Sequence, residues 1–204
     1  EENLQDRKII FYMPTFRSSS MDSRVDGSRN WSNIFDFECF DDVRFDSFLD
    51  DNDLTLVIKL HPKEESVVKN CISQMKNIKM LTSDHLNKKG IDLYEILNSA
   101  DLLITDYSSV YFDFLLLDKP IIFTPTDIDQ YDSSRGFLLK PYDAWTPGPK
   151  VLDQNTLQSE IINSLKIDGY YSEERARIRD LAHKYKDGES SKRVWNFISE
   201  LLDR

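Results

Sequence analysis

Short apolar runs, separated by segments with helical spacing, constrain the fold of this sequence more than any other feature. The runs in "LTLVIKLHP" (54–62), "DLLIT" (101–105) and "PIIFT" (120–124) are apolar nearly throughout rather than alternating with polar residues. Strands of this kind are buried on both faces, which is typical of parallel sheets covered by helices. "KIIFY" (8–12) and "NIKML" (77–81) indicate two more strands. We therefore predict an α/β fold with a Rossmann-like doubly wound parallel sheet.

The length of 204 residues predicts a single domain, residues 1–204, without an internal linker. Helices are predicted between the strands and in three closing segments at about 154–167, 172–186 and 189–203. Residues 18–33 and 125–150 are predicted as long loops, and 34–40 fits either a strand or a helix. The start "EENLQDRK" lacks a methionine. We expect a fragment of a longer protein, although a processed or renumbered terminus would look the same.

Composition excludes several classes of function. A net charge of -10 argues against general nucleic-acid binding, and no apolar run approaches the 18 residues of a membrane span.

Cys39 and Cys71 are predicted to be reduced, partly buried thiols. The sequence contains neither a dinucleotide-binding glycine motif, a P-loop, nor a GxSxG element. It also lacks a His/Asp/Glu cluster, so no metal site is predicted.

A polar step, Thr105–Asp106–Tyr107–Ser108–Ser109, interrupts two apolar runs where a strand meets a helix. Ligands of open parallel sheets bind beyond the carboxyl ends of strands, and unpaired amides at a helix start attract anions. Asp106, Ser108 and Ser109 supply more polar groups than one helix cap needs, although capping alone stays an alternative. Asp113, among apolar neighbours, faces solvent or grips a ribose hydroxyl or a basic partner.

Three further motifs contain candidate ligand-binding residues. His61 follows another strand and can contact phosphate or move a proton near neutral pH, with Lys59 two residues before it. Arg17, after the first strand, and Arg135 can each direct two donors to a phosphate. Gly136 and the glycine of "PGP" (147–149) let backbone approach a ligand closely.

In this order, "YMPTFR", "IKLHP", "SADLLITDYSSVYFDFLLLDKPIIF", "YDSSRGF", "PGP" and "DGESSKRV" resemble the CDP-glycerol glycerophosphotransferase family of teichoic acid primases and polymerases. The resemblance covers roughly residues 8–200. It implies a GT-B-type architecture, of which this chain matches only the carboxyl-terminal, donor-binding half. Family members have a further catalytic histidine in the amino-terminal domain, and no counterpart occurs here. The isolated chain is therefore expected to be inactive alone.

The resemblance also implies a reaction in which an acceptor hydroxyl attacks the glycerol-bearing phosphorus of CDP-glycerol and CMP leaves. Ser108 and Ser109 would hold the diphosphate, and Arg17, Arg135 and Gly136 would line its site. His61 would be catalytic, while Lys59 would support it. Asp106 and Asp113 would orient these donors or meet the nucleotide hydroxyls. No cofactor or metal is implied.

The implied partners are the nucleotide donor and a polyol-phosphate or glycan-lipid acceptor. The full-length protein would be peripheral at the cytoplasmic face of the membrane, with this fragment soluble. Two alternatives stay open from the residues: a GT-B enzyme that uses a nucleotide sugar, and a non-catalytic α/β interaction domain. CDP-ribitol is an open variant of the donor.

Overall fold

Five parallel strands form one central sheet in the computed structural model, which describes residues 7–17, 29, 31–72 and 74–203. The strands are β1 (Lys8–Tyr12), β2 (Leu54–Ile58), β3 (Ile78–Met80), β4 (Leu102–Thr105) and β5 (Ile121–Phe123). They lie in the order β3–β2–β1–β4–β5. Ile10 is aligned with Leu56 of β2 on one side and with Leu102 of β4 on the other. The prediction of a parallel α/β sheet is confirmed.

Ten α-helices are found in the described residues, on both faces of the sheet and beyond its edge. They are α1 (Asp42–Asp51), α2 (Pro62–Cys71), α3 (Ser83–Lys89), α4 (Leu93–Leu97), α5 (Val110–Phe114), α6 (Ile128–Ser134), α7 (Tyr142–Trp145), α8 (Gln154–Lys166), α9 (Ser172–Ala182) and α10 (Ser190–Leu202). A 3-10 turn, Leu115–Leu117, prolongs α5. No helix among the described residues is long and apolar enough to cross a bilayer.

The alternation of side chains along the strands divides the core into two layers. Ile10 and Tyr12 of β1 point to the layer that contains buried side chains of α1 and α8. Phe11 and Met13 point to the opposite layer, which contains buried side chains of α5 and α9. Both faces of β1 are therefore buried, as the unbroken apolar run predicts.

Several local predictions need correction. Residues 34–40 form turns rather than a strand or helix, because Asn33 bonds the backbone of Phe35 and Phe37 and pulls the chain into a compact bend. The predicted loop at 125–150 contains α6 and α7. Cys39 is exposed rather than partly buried. The side chain of Cys71 and most of the 18–33 loop lie outside the described residues.

The strand order places a topological switch point between β1 and β4. From β1 the chain runs outward through β2 to β3, then returns to add β4 and β5 on the other side of β1. The loops that leave the carboxyl ends of β1 and β4 therefore diverge, and a crevice opens between them. Residues 13–17 and 105–109 form its two sides.

Candidate functional site at the switch point

A pocket of about 370 Å³ opens beside this crevice and is called here the switch-point pocket. Three loops supply its walls: the segments after β1, after β4 and after β5. Most of the wall is aromatic or aliphatic, with hydroxyls and one arginine at intervals. The lining residues are Thr15, Phe16, Tyr107, Ser108, Ser109, Tyr111, Phe112, Tyr131, Arg135, Gly136, Phe137, Leu138, Leu139, Tyr142, Trp145 and Thr146.

Ser108 and Ser109 form part of the polar side of the pocket. Ser109 immediately precedes α5, yet its side chain makes no capping hydrogen bond to that helix. Side-chain geometry therefore gives no support to the alternative in which Ser109 serves only as a cap. The hydroxyls of both serines lie in the pocket lining, where a ligand can reach them.

Arg135 and Gly136 line the pocket from the loop after β5. Arg135 lies at the end of α6 and is exposed. Gly136 has a φ of 75°, in the left-handed region that favours glycine, and its N–H donates to the carbonyl of Tyr131 at 3.0 Å. The glycine thus ends α6 and returns the chain along the pocket wall.

Four rings pack into a rigid aromatic wall. The ring centroids of Tyr107 and Tyr131 are 4.3 Å apart, and Phe137 lies 5.3 Å from Tyr107 and 5.4 Å from Tyr142. The hydroxyl of Tyr142 donates to the carbonyl of Asp106 at 2.9 Å. Burial first, and then nearby acidic groups, raise the pKa values of Tyr107 and Tyr142, so both phenols stay neutral at physiological pH.

Asp106 lies behind the pocket, wholly buried, and is not part of its lining. Its Oδ1 accepts from the N–H and the hydroxyl of Thr15 at 2.7 and 2.6 Å. Its Oδ2 accepts from Arg29 at 2.8 Å and from Arg17 at 3.2 Å. Burial alone would raise the pKa of this carboxyl, but Arg29 and then Arg17 outweigh it and lower the pKa below its usual value.

The placement of Arg17 favours a role other than the predicted contact with phosphate. Its side chain is 1% exposed, and its Nε and Nη2 donate to both oxygens of Asp127 at 3.0 and 2.9 Å. The guanidinium carbon lies 5.1 Å from the ring centre of Tyr107 and 4.9 Å from that of Tyr131. Arg17 therefore supports the aromatic wall from behind, with its donors already engaged.

Arg29 and Asp127 belong to this site, although the sequence did not single them out. With Arg17 and Asp106 they form a set of four residues, named here the charged network, that joins segments distant in sequence. Asp127 follows β5 in "PTDID", so its position after a strand was an available signal. Arg29 follows a polar stretch without any pattern, and only the fold brings it to Asp106.

His61 lies beside the switch-point pocket, at the end of β2. Its ring stacks on Phe16, which lines the pocket, with ring centres 4.1 Å apart. The Nδ1 atom accepts the backbone N–H of Lys63 at 3.4 Å and so caps α2. Burial first, and then Lys63 and Lys59, lower the pKa of the imidazole below 6.5, so the ring is neutral at pH 7.

The structure does not bring Lys59 or Asp113 into the pocket lining. Lys59 Nζ donates to Glu65 at 3.1 Å and to Ser83 at 2.9 Å, which ties β2 to α2 and α3. Asp113 accepts from the hydroxyl of Tyr94 at 3.2 Å on the outer side of α5. The hydrogen bonds of Lys59 are compatible with the predicted supporting role. Asp113 faces Tyr94, away from the pocket.

Within the described part of the chain, no group of three or more His, Cys, Asp or Glu side chains could hold a metal ion. The nearest acidic residues, Asp106 and Asp127, are both paired with Arg17. The pocket therefore offers hydroxyls, an arginine and aromatic surface, which suit a ligand that is anionic at one end and flat or apolar at another.

Comparison with known proteins gives a consistent match over nearly the whole chain. A family model described as CDP-Glycerol:Poly(glycerophosphate) glycerophosphotransferase matches residues 2–200. The teichoic acid glycerol-phosphate primase of Bacillus subtilis (strain 168) is 34% identical over 201 residues, which are 98% of this chain and 45% of that protein. The teichoic acid ribitol-phosphate polymerase TarL of Staphylococcus aureus (strain NCTC 8325 / PS 47) is 29% identical, over 94% of this chain and 30% of TarL.

A solved structure resembles the fold described here. It is a variant of the wall teichoic acid polymerase TagF soaked with CDPG, with a TM-score of 0.68 and 25% identity over 96% of this chain and 42% of that one. The match confirms the predicted GT-B-type, Rossmann-like fold. The chain spans less than half the length of these three proteins. These three matches support neither the nucleotide-sugar enzyme nor the non-catalytic domain.

Proposed function

The chain belongs to the CDP-glycerol:poly(glycerophosphate) glycerophosphotransferase family, and from this premise we propose that it is the donor-binding domain of a glycerophosphotransferase. The resemblance predicted from the motifs is thereby confirmed. The full-length enzyme would transfer glycerol phosphate from CDP-glycerol to a polyol-phosphate or glycan-lipid acceptor. Residues 1–204 would bind the donor, and the acceptor domain would be supplied elsewhere in the protein.

One observation carries this proposal: two serine hydroxyls and an arginine converge on an aromatic pocket at the switch point. Ser108 and Ser109 lie on one part of its wall and Arg135 with Gly136 on another. A nucleoside diphosphate ester has a flat base, a dianionic diphosphate and a small polar tail. The diphosphate would lie against the serine hydroxyls and the guanidinium of Arg135, which are its natural donors.

The reaction exchanges one phosphorus–oxygen bond for another. The acceptor hydroxyl oxygen bonds to the glycerol-bearing phosphorus, the bond from that phosphorus to the bridging oxygen breaks, and CMP departs with the bridging oxygen. The hydroxyl proton passes to a base or to water. Such transfers depend mainly on positioning and on neutralising the charge of the phosphates. Arg135 would supply that neutralisation from this domain, and the hydroxyls of Ser108 and Ser109 would position the phosphates by donating hydrogen bonds.

The geometry of His61 favours phosphate contact over general-base action. Because Nδ1 already accepts the N–H of Lys63, the single ring proton of the neutral imidazole lies on Nε2. Nε2–H is therefore a hydrogen-bond donor, suited to an oxygen of the departing CMP phosphate. A general base at this position would need an unprotonated Nε2, which the capping contact disfavours.

Relatives concerned with teichoic acid suggest where the full-length protein works. We expect it at the cytoplasmic face of the membrane, as a peripheral protein that meets a membrane-borne acceptor. The donor can be CDP-glycerol or CDP-ribitol, because the matched proteins include both a glycerol-phosphate primase and a ribitol-phosphate polymerase. We expect neither a metal nor another cofactor to be required.

Calorimetric titration of the chain with CDP-glycerol, CDP-ribitol, CMP, cytidine and a UDP-sugar tests the proposal. Binding of a CDP-polyol tighter than binding of the UDP-sugar is expected. Replacing Arg135 with alanine should weaken CDP-glycerol by roughly tenfold, the loss of one charge-assisted contact, and weaken cytidine less. Tighter binding of the UDP-sugar would overturn the proposed donor. Equal losses for cytidine and CDP-glycerol would remove Arg135 from the diphosphate site.

A further inference from the structure

We propose that Arg29 is a positioning residue for the switch-point pocket, and that it acts through the carboxylate of Asp106. The inference rests on the proposed function, because its readout is binding of the donor. Arg29 does not line the pocket, and its contact with the pocket-forming loops among the described residues is the ion pair with Asp106. Its role is to fix the carboxylate that holds two of the pocket-forming loops together.

The charged network takes one residue from each of the three loops that form the pocket. Arg17 comes from the loop after β1, Asp106 from the loop after β4 and Asp127 from the loop after β5. Each of these loops also supplies lining residues: Phe16 from the first, Ser108 and Ser109 from the second, and Arg135 from the third. The network therefore sets the distances between groups that a diphosphate would have to meet together.

Asp106 is the central member, since its carboxylate joins the loop after β4 to the loop after β1 and to Arg29. Oδ1 holds Thr15, and Oδ2 holds Arg17 and Arg29. Arg17 divides its donors between Asp106 and Asp127. Without Arg29, Oδ2 would keep only the 3.2 Å bond from Arg17, and the carboxylate would turn about Oδ1, which accepts the N–H groups of Thr15 and Tyr107. Ser108, two residues further along, would move with it.

The surroundings of Arg29 indicate that it is kept for position rather than for stability. Its side chain is 1% exposed, yet only Nη2 has a hydrogen-bond partner among the described residues. Nε and Nη1 are buried without one, and the guanidinium otherwise stacks on Trp31, 5.1 Å from the ring centre. A buried charge with two unsatisfied donors is a poor source of stability. Its one well-formed bond is the bond to Asp106.

A matched pair of substitutions separates positioning from folding. Arg175 is also a buried arginine with a carboxylate partner, Asp118, but it lies at the start of α9, outside the pocket lining. We compare Arg29→Met with Arg175→Met, and add Arg29→Lys as the conservative variant. For each, the melting temperature is measured, and CDP-glycerol binding is measured by calorimetry well below that temperature.

Arg29→Met should raise the dissociation constant for CDP-glycerol about tenfold, within the range found for residues that act on a ligand without touching it. Arg175→Met should lose stability and bind as the unaltered chain does. Arg29→Lys, which keeps the charge and one donor, should recover most of the affinity. Unaltered binding by Arg29→Met, or an equal loss in Arg175→Met, would overturn the positioning role. Failure of the unaltered chain to bind CDP-glycerol would overturn the proposed function, and this inference with it.

Discussion

His61 shows at the scale of one residue how a capping contact can select a chemical role. The ring is exposed, stacks on Phe16 and accepts a backbone N–H through Nδ1. Burial and two neighbouring lysines lower its pKa below 6.5. A phosphate dianion beside Nε2 would act in the opposite direction, because a negative charge favours the imidazolium.

We therefore expect the pKa of His61 to lie below 6.5 in the free chain and to rise when CDP-glycerol binds. Titration of the ring proton resonances by NMR, with and without donor, measures both values, and His61→Gln identifies the signal by its loss. The neutral ring should predominate above the free pKa. A midpoint that the donor leaves unchanged would mean that His61 lies too far from the phosphates for contact.

The structure brings together four residues that the sequence singled out, although their roles toward a ligand stay predictions. Ser108, Ser109, Arg135 and Gly136 do meet in one pocket. Arg17 shows the limit of such reasoning, because a sequence cannot tell whether a guanidinium points at a ligand or at a carboxylate 110 positions away. Arg29 was missed for the same reason, whereas Asp127 follows β5 and its position after a strand could have marked it.

At the scale of elements, the "PGP" segment acts as part of the sheet rather than as a ligand loop. The N–H of Phe123 donates to the carbonyl of Pro149 at 2.9 Å, and the N–H of Val151 donates to the carbonyl of Phe123 at 2.8 Å. Lys150 thereby pairs with Phe123 in a parallel bridge at the free edge of β5. Gly148 allows this approach, since a Cβ there would lie 2.0 Å from the carbonyl oxygen of Ile121.

Gly148→Ala should therefore destabilise the fold by about 1–3 kcal/mol, the usual cost of forcing extra atoms into a packed region. Urea unfolding measures the change, and Gly90→Ala serves as a control. A Cβ added at Gly90 would meet open space, so the loss of stability in Gly90→Ala should come from the left-handed backbone alone. A Gly148→Ala chain as stable as the unaltered one would show that the edge segment can move away from β5.

Strands and helices with a regular apolar pattern were predicted from the sequence, whereas helices without such a pattern were not. All five strands and the three closing helices follow from apolar runs and spacing, although α9 ends at Ala182 rather than near 186. The short helices α6 and α7 were read as a loop because aspartate, tyrosine and proline dominate that region. Their helical turns are held by tertiary contacts of Tyr131 and Tyr142 with the aromatic wall, and these contacts are not visible in a local window.

For the whole molecule, buried and bonded carboxylates make stability depend on pH. Despite burial, Arg29 and Arg17 lower the pKa of Asp106, and hydrogen bonds from Ser83 and Lys59 lower that of Glu65. A carboxylate with a lowered pKa binds fewer protons in the folded state. Its contribution to the free energy of unfolding is therefore complete above the pKa of the unfolded state. That contribution is lost as the pH falls through the pKa of the folded state. Burial raises the pKa of Glu64, so this carboxyl binds more protons in the folded state and destabilises the fold as the pH rises.

We expect the free energy of unfolding to fall steeply once the pH drops below the ordinary aspartate value of 3.8. Urea denaturation at a series of pH values measures this dependence. The chain with Asp106→Asn should be less stable near neutrality and should show a shallower acid dependence, because its fully buried carboxylate no longer titrates. An unchanged slope in that variant would assign the acid sensitivity to other carboxylates, such as Glu65.

The charged network also limits how this chain can diverge. Two positive and two negative side chains balance one another in a space that water hardly reaches, so losing any one leaves a net charge among the remaining three. A substitution of Asp127 or Arg29 would be selected against unless Arg17 or Asp106 changed as well. Substitutions at these four positions should therefore occur together in related sequences, because the three loops are joined through them.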